Sequence, residues 1–531
     1  MSNAYSRSLS GPVPQSEQAD PSQVKNSAGG FTFTVDDKTR LERFLILGTE
    51  KGSYYAGEKK LTKDNFDFLK ALIARDEQMV IDVTREVSTS GRAYRNTQAV
   101  LTVAALFAYG KIKPRSLVRD VCRTGTHLFE FAEFVEMLGG WGPSKRSAVA
   151  EWYSNKTPDS LAYQVVKYRQ RKGWTHRDLF RLSHPQGSFV PGIGEFILGK
   201  SYDGEQHPLI AGFKLIQSQT DVKYVLANLD LYPELPWEAL PTQFHKDAEV
   251  WKKLFYNGQL KGQALLRNIT RLARTGAFND MVFTRDVATK LTDTEMIRKT
   301  RLHPFQYLLA QSVHENGQWV TKKGIWGEVK ERVKDWTTNP VIMEALNTGF
   351  YAAFQYVEPA NKRTFIGLDV SGSMSWAVEG LDLTAAQVAA AMSMTIAKTE
   401  PYYQVMGFAS EFRDLGISPS MSLNEVMRKT SMHNFGSTDC SLPMTYAFQR
   451  NIAVDTFVVI TDNETWAGNV HPHIALEGYR QKMGIDAKLV VVACTPTEFT
   501  IANPSDRGML DISGADSNLP KLISEFSAGR I

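Results

Sequence analysis

The chain has 531 residues, 43% hydrophobic and 22% charged, with a net charge of +4. That length implies two to four domains with ample core. So small a charge does not mark a nucleic-acid binder, so any such function must rest on local clustering. Cys122, Cys440 and Cys494 are too few and scattered for a disulfide framework or a zinc site, which fits a reducing cytoplasm. No apolar run approaches the ~20 residues of a membrane helix.

Residues 1–30 are rich in Ser, Gln, Pro and Gly and lack the apolar core of a signal peptide. They read as a disordered tail. From about Val35 to Tyr356 the pattern is helical nearly everywhere. Thr62 to Ala74 places Phe66, Leu69 and Ile73 on one face at helix spacing. Thr97 to Tyr109, Thr126 to Leu138, Ser160 to Arg171 and Gly262 to Ala273 are further candidates. Thr157-Pro158 and Thr175-x-x-Asp178 are helix starts, with a capping hydroxyl followed by Pro or an acid. Helices of this length joined by short glycine-bearing turns suggest stacked pairs of the HEAT type, although no clean repeat motif is visible and a single irregular helical domain competes. Gly52-Ser-Tyr-Tyr-Ala-Gly57 begins like a P-loop but continues with Glu58, so it is rejected.

After Glu358-Pro-Ala-Asn361 apolar runs alternate with helices. Strands are expected at 363–369, 403–408, 456–461 and 488–494, and helices at about 382–398 and 471–483. This reads as an open, mostly parallel sheet covered on both faces. Phe365-Ile-Gly-Leu-Asp369-Val-Ser371-Gly-Ser373 is a run rich in apolar residues that ends in an acid and two alternate hydroxyls. Thr438 follows in a glycine-bearing loop, and Asp462 ends a second apolar run. One carboxylate loop, one hydroxyl loop and a second carboxylate loop supply the oxygen donors that a hard cation such as Mg2+ prefers. The alternative is a set of strand ends capped by Asp and Ser. Asp439 and Glu464 lie beside the pattern.

The stretch 165–184 carries Lys167, Arg169, Arg171, Lys172, Arg177 and Arg181 against the single acid Asp178. On a continuous helix Lys167 and Arg171 share a face, and Arg177 and Arg181 repeat that spacing on the next. Tyr168, Trp174, His176 and His184 are available for stacking. Cations interleaved with aromatics suit single-stranded RNA. The competing reading is a solvated basic face with Tyr168 and Trp174 in the core. Gly91-Arg-Ala-Tyr-Arg95 and Trp141-x-x-Ser144-Lys145-Arg146 are further basic loops. His127, His303 and His433 are read as structural.

The order Asp369-x-Ser371-x-Ser373, Thr438, Asp462 resembles the metal-ion-dependent adhesion site of von Willebrand factor A domains. Residues 31–531 as a whole resemble the Ro autoantigen family, in which a TROVE module precedes such a domain. Val166-Lys-Tyr-Arg-Gln-Arg-Lys-Gly-Trp-Thr-His176, Arg181-Leu-Ser-His184, Leu265-Leu-Arg-Asn268, Arg301-Leu-His-Pro-Phe305, Asp369-Val-Ser-Gly-Ser-Met374 and Thr461-Asp-Asn-Glu464 carry the likeness, closest in detail to a bacterial member. The resemblance implies a multidomain protein, with an all-α ring of HEAT-like repeats over 31–358 followed by an α/β, Rossmann-like A domain over 359–531. It implies that Asp369, Ser371, Ser373, Thr438 and Asp462 hold a divalent metal ion, Mg2+ being expected. It also implies RNA contacts at Lys167, Arg171 and His184, with Arg169, Lys172, Arg177 and Arg181 in the same segment. The implied ligands are Y RNAs and the single-stranded 3′ ends of misfolded RNAs. The implied setting is RNA quality control beside an exoribonuclease, for a monomeric, non-enzymatic cytoplasmic protein. A metal-dependent interaction scaffold with incidental RNA binding is the alternative, and a metal-dependent phosphohydrolase is disfavoured because no second metal centre or activating base is evident.

Overall fold

A computed structural model describes residues 12–48, 58–186, 192–324, 327–354, 358–375, 384–431 and 436–531. The P-loop-like stretch 52–57 and His433 lie outside them. The chain divides into two units, one made of Leu69–Gly91 and Asn96–Ala353, the other of Met1–Phe68, Arg92–Arg95 and Phe354–Ile531.

In the first unit, apolar residues at helical spacing produce the expected helices. Thr97–Tyr109, Gly125–Met137 and Gln263–Arg274 form within a residue of where the pattern places them. Capping fixes several starts. Thr157 accepts from the Ser160 amide ahead of Pro158, and Thr175 and Asp178 form a reciprocal capping box. The helices stack in two layers. Glu77–Ser90, Arg115–Val121, Pro143–Ser154 and His176–Ser183 follow one another in one layer, while Thr97–Tyr109 packs on Gly125–Met137 in the other. Alternation of successive helices between layers is how stacked helical pairs bury their apolar faces. Trp152, Tyr153, Phe129 and Trp251 are fully enclosed.

Among the described residues of this unit two antiparallel hairpins interrupt the helices, Gln318–Gly324 with Gly327–Val333 and Gln170–Arg171 with Trp174–Thr175. The second corrects the expected helix over 160–171. That helix is Pro158–Lys167, and the chain then leaves helical geometry at Tyr168. Lys172 and Gly173 both take positive φ, 55° and 79°, which is what a two-residue hairpin turn of the right twist requires. Lys167 and Arg171 therefore lie on different elements and share no helical face.

The second unit contains a six-stranded sheet in the order Met509–Ser513, Lys488–Ala493, Thr456–Thr461, Thr364–Asp369, Tyr403–Phe408, Phe412–Arg413. All neighbours are parallel except the short last strand. Thr364–Asp369 and Thr456–Thr461 are buried along their whole length, as strands covered on both faces must be. Phe365, Phe457, Val459 and Val491 face a core closed by Met444, Leu476 and Tyr479. Ala385–Thr399 packs on Thr364–Asp369 and on Leu519–Ser527.

Over the described residues from 12 onward this unit differs from the expected disordered tail over 1–30 and from a helical domain beginning at residue 31, while residues 1–11 lie outside the described residues. Residues 12–30 are ordered, and Gln15, Gln23 and Asn26 are buried in spite of their polarity because partners in the A-like sheet's loops receive them. Phe31–Thr34 pairs antiparallel with Phe499–Thr500. The helix Asp37–Leu47 packs on Met509–Ser513. Its Arg43 is completely buried, with one guanidinium nitrogen 2.5 Å from Asp511 and another donating to the carbonyls of Thr497 and Phe499 at 2.7 and 2.8 Å.

Removing one member of a buried ion pair strands the other charge. Arg43→Ala is expected to destabilise the second unit by about 3–5 kcal/mol, read as a lowered denaturation midpoint. An unchanged midpoint would mean that Asp511 does not depend on Arg43.

Candidate cation site and nucleic-acid interface

Asp369 and Asp462 follow directly from adjacent parallel strands. From Thr364–Asp369 the chain crosses to one neighbour, Tyr403–Phe408, and later returns to the other, Thr456–Thr461. The two acids therefore stand where the strand order reverses, the crevice in which open α/β sheets collect ligands. Ser371 and Ser373 sit on the turn after the first strand, and Thr438 comes from a third loop. All five are buried, and the Trp466 and Ala467 amides tie the loop of Thr438 to the loop that follows Asp462 through the Thr438 carbonyl, at 3.1 Å each.

The Ser371 amide donates to Asp369 Oδ1 at 2.9 Å, Thr461 Oγ1 donates to Asp369 Oδ2 at 2.7 Å, and the Ser371 and Ser373 hydroxyls are 2.9 Å apart. The Glu464 amide donates to Asp462 Oδ1 at 3.0 Å. Burial, and then the charge of Asp462, push the Asp369 carboxyl up to about 7. Asp462 is raised by burial. Glu464 is pushed up to about 8 by burial and then by Asp462. Among the described residues Thr438 Oγ1, Asp462 Oδ2 and Glu464 Oε1 are enclosed without a hydrogen-bond partner. Enclosed oxygen atoms of this kind are costly unless something satisfies them. No three His, Cys, Asp or Glu side chains among the described residues are placed to share a metal, so a cation here would have to use hydroxyl oxygens as well as carboxylates.

Thr461 was not foreseen. Its hydroxyl fixes the orientation of Asp369, and the only sign in the sequence is a polar residue just before the strand-ending acid. Asp439 accepts from the Ser441 amide and hydroxyl and from Gln15, and Glu464 Oε2 accepts from the Ala28 amide at 3.1 Å. Both brace the loops.

The basic stretch unfolds into three pieces. Lys167 ends its helix with a side chain only 17% exposed, donating to Tyr163 at 3.0 Å and lying 3.8 Å from Glu238. Arg169, Arg171, Lys172, Arg177, Arg181 and His184 are exposed. Arg171 and Lys172 lie 3.7 and 3.5 Å from Glu130 and Glu133; the Lys172 pair is a long, partly exposed contact worth little, whereas Glu130 is mostly buried and holds Arg171 over it. Arg177 and Arg181 keep their four-residue spacing on His176–Ser183, and His184 closes that helix in a left-handed conformation.

Two of the expected stacking partners are taken by the protein. His176 is buried, 2.9 Å from Tyr153 Oη, and burial lowers its pKa to about 4. Trp174 is half-buried, edge-on to Trp141. One cation in each flanking basic loop is engaged within the protein. Arg92 pairs with Asp516 and Glu42, and Lys145 donates to the Gly140 carbonyl at 2.7 Å.

A stacked helical unit and a parallel sheet with an acid–hydroxyl edge define the class of protein that joins a TROVE domain to a von Willebrand factor A domain. The TROVE family model matches residues 24–204 and 231–326, and the model of the Ro60 vWA domain matches 363–527. The RNA-binding protein RO60 of Deinococcus radiodurans is 39% identical over 536 residues, with 98% of each chain covered. The RNA-binding protein RO60 of Caenorhabditis elegans is 31% identical over 604 residues, covering 97% of this chain and 92% of that one. The crystal structure of the Deinococcus radiodurans RO (RSR) protein aligns with a TM-score of 0.67 at 37% identity, covering 93% of this chain and all of the other. The chain belongs to the Ro60 family.

The raised carboxyl of Asp369 makes a pH prediction. The folded state holds its proton more tightly than the unfolded chain, so this contribution to stability is complete below the ordinary value of 3.8 and is lost as pH rises to about 7. In the presence of a chelator, Asp369→Asn should gain stability over wild type by about 2–4 kcal/mol between pH 4 and pH 8. A gap that stays constant with pH, measured by denaturant unfolding, would show that Asp369 does not titrate in this window.

Proposed function

We propose that this chain is a non-catalytic RNA-binding protein that takes small noncoding Y RNAs and the single-stranded 3′ ends of misfolded structured RNAs, and presents them to an exoribonuclease in maturation or decay. The observation that carries this reading is the exposed run Arg169, Arg171, Lys172, Arg177, Arg181 and His184 on the TROVE unit of a chain whose full-length relatives are named RNA-binding proteins. The exposed guanidinium and ammonium groups of this run can reach phosphates, and Lys172, paired with Glu133 at 3.5 Å, can exchange that carboxylate for one. Lys167, held by Tyr163 and Glu238, shapes the end of this face more than it contributes free charge. Three buried, unbridged cysteines fit a reducing cytoplasm, and no helix among the described residues is long and apolar enough to cross a membrane.

We further propose that Asp369, Ser371, Ser373, Thr438 and Asp462 hold one divalent cation, Mg2+. The donor set is all oxygen, and the enclosed Asp462 Oδ2 and Thr438 Oγ1 have no other partner among the described residues. A cation would neutralise the two buried carboxylates and offer a partner protein's carboxylate a place to bind. The same feature supports a second reading, a metal-dependent interaction scaffold in which RNA is incidental.

Competition between a duplex with a single-stranded 3′ tail, a blunt duplex and the tail alone tests the first reading. If the basic surface holds duplex backbone and the unpaired 3′ end is held separately, the tailed duplex should win by engaging both contacts at once. Equal competition by the blunt duplex would leave only a general basic surface. Changing Arg171, Lys172 and Arg177 together to Ala should weaken binding and reduce the salt slope by about two to three units, at roughly 0.7–0.9 for each phosphate no longer neutralised. An unchanged slope would place the footprint elsewhere.

For the cation, Asp369→Ala should abolish Mg2+ binding in titration calorimetry while RNA affinity is retained. Unaltered Mg2+ affinity in that variant would mean that the site is misassigned.

A further inference from the structure

Neither family model includes the segment 12–23, yet that segment is tied to the loops that carry the cation-site residues. Gln15 is fully buried. Its Nε2 donates to Asp439 Oδ1 at 2.8 Å and to the Val470 carbonyl at 2.8 Å, and its Oε1 accepts from the Thr465 hydroxyl. Its amide donates to the Gly468 carbonyl at 2.8 Å, and its carbonyl accepts from the Phe31 amide at 2.8 Å. One carboxamide thus spans two loops. Asp439 adjoins Thr438, and Thr465 lies three residues after Asp462.

Among the described residues the loops are also joined directly, by the Cys440 amide to Thr465 Oγ1 at 3.1 Å and by the Trp466 and Ala467 amides to the Thr438 carbonyl at 3.1 Å each. Thr465 Oγ1 also approaches that carbonyl at 3.4 Å. Thr465 therefore works between Gln15 and the loop of Thr438.

The surrounding backbone is shaped to admit the glutamine. A Cβ at Gly468 would lie 2.2 Å from Gln15 Nε2 and 2.3 Å from Asp439 Oδ1. Further along the same segment, a Cβ at Gly30 would lie 2.1 Å from the Thr465 carbonyl oxygen. Asn26 Nδ2 donates to that carbonyl at 2.9 Å, the Ala28 amide reaches Glu464, and Gln23 reaches His471 at 3.1 Å. Residues 14–31 lie across the loop 464–471 as a strap, with Gln15 as its lock.

We propose that Gln15 is a positioning residue for the cation site, holding the loop of Thr438 against the loop of Asp462 so that their oxygen atoms stay within reach of one ion. The part concerning the ion rests on the cation reading above; the clamping of the two loops does not. A donor set drawn from three loops binds a small octahedral cation well only if the loops are held in place, and loss of a supporting hydrogen bond around a metal site commonly lowers affinity about 10- to 100-fold.

The test uses the full chain in three forms. Gln15→Ala removes the carboxamide, Gln15→Glu keeps its shape but loses the donor to Asp439 and Val470, and deletion of residues 2–11 spares the strap. Hydrogen exchange is followed in peptides covering 436–442 and 462–470, with 488–493 as an internal control, and Mg2+ affinity is measured by calorimetry and by terbium luminescence. Both Gln15 variants should exchange faster in the two loops, keep the protection of 488–493 and bind Mg2+ about tenfold more weakly. The deletion should match wild type. Wild-type loop exchange in both Gln15 variants would overturn the clamp. Faster exchange with wild-type Mg2+ affinity would overturn the positioning role. If the wild type itself binds no cation while the variants still loosen the loops, the cation reading fails and the clamp stands.

Discussion

Two buried carboxylates at the ends of adjacent parallel strands are the constraint on which the second unit turns. Asp369 and Asp462 are placed by sheet topology, and placing them there costs energy, because each is removed from water beside the other. The fold meets part of that cost with the Ser371 amide, the Thr461 hydroxyl and the Glu464 amide. It does not meet all of it, since Asp462 Oδ2 stays without a partner among the described residues. A sheet that ends in two buried acids, one of them pushed toward its protonated form, carries a cost that local hydrogen bonds offset only in part.

The supports of this pair reach far along the chain. Glu464 follows Asp462 by two residues and is tied to Ala28, and Asp439 follows Thr438 and is tied to Gln15. Arg43, from the helix after the strap, neutralises Asp511 on the sheet's edge strand and satisfies the carbonyls of Thr497 and Phe499. The A-like sheet thus depends on about forty N-terminal residues from beyond its own contiguous sequence.

This dependence explains what could be read in advance. Strands such as Thr456–Thr461 were legible because burial on both faces demands an unbroken apolar run, and the ends of such runs announced Asp369 and Asp462. Helix starts at Thr157 and Thr175 were legible because capping is local chemistry. The strap was not, because Gln15, Gln23 and Asn26 have the composition of a solvated tail and their bonding partners lie more than four hundred residues away. Arg43 was hidden for the same reason, as an arginine on an amphipathic helix reads as surface until its acid is located. The basic stretch failed differently. Lys167 to Arg171 has the spacing of a helix face, and only the left-handed pair Lys172-Gly173 turns it into a hairpin.

That hairpin changes what the basic stretch can do. A helix continued through Arg171 would have put Lys167 and Arg171 on one face. The hairpin presents Arg169, Arg171 and Lys172 from a tight turn and Arg177 and Arg181 from the helix after it. The aromatic and imidazole groups between them divide by burial, with His176 held neutral in the core, Trp174 half-covered by Trp141 and His184 left at the surface. Buried His176 stacks beside Trp152 and bonds to Tyr153, so it fixes the start of the helix from which Arg177 and Arg181 project. Long cationic side chains on a helix anchored in the core keep their charge in water while the backbone that carries them is held in place. The interior thus supplies geometry and the surface supplies charge, and an imidazole that looked like an RNA contact in the sequence serves the first of these.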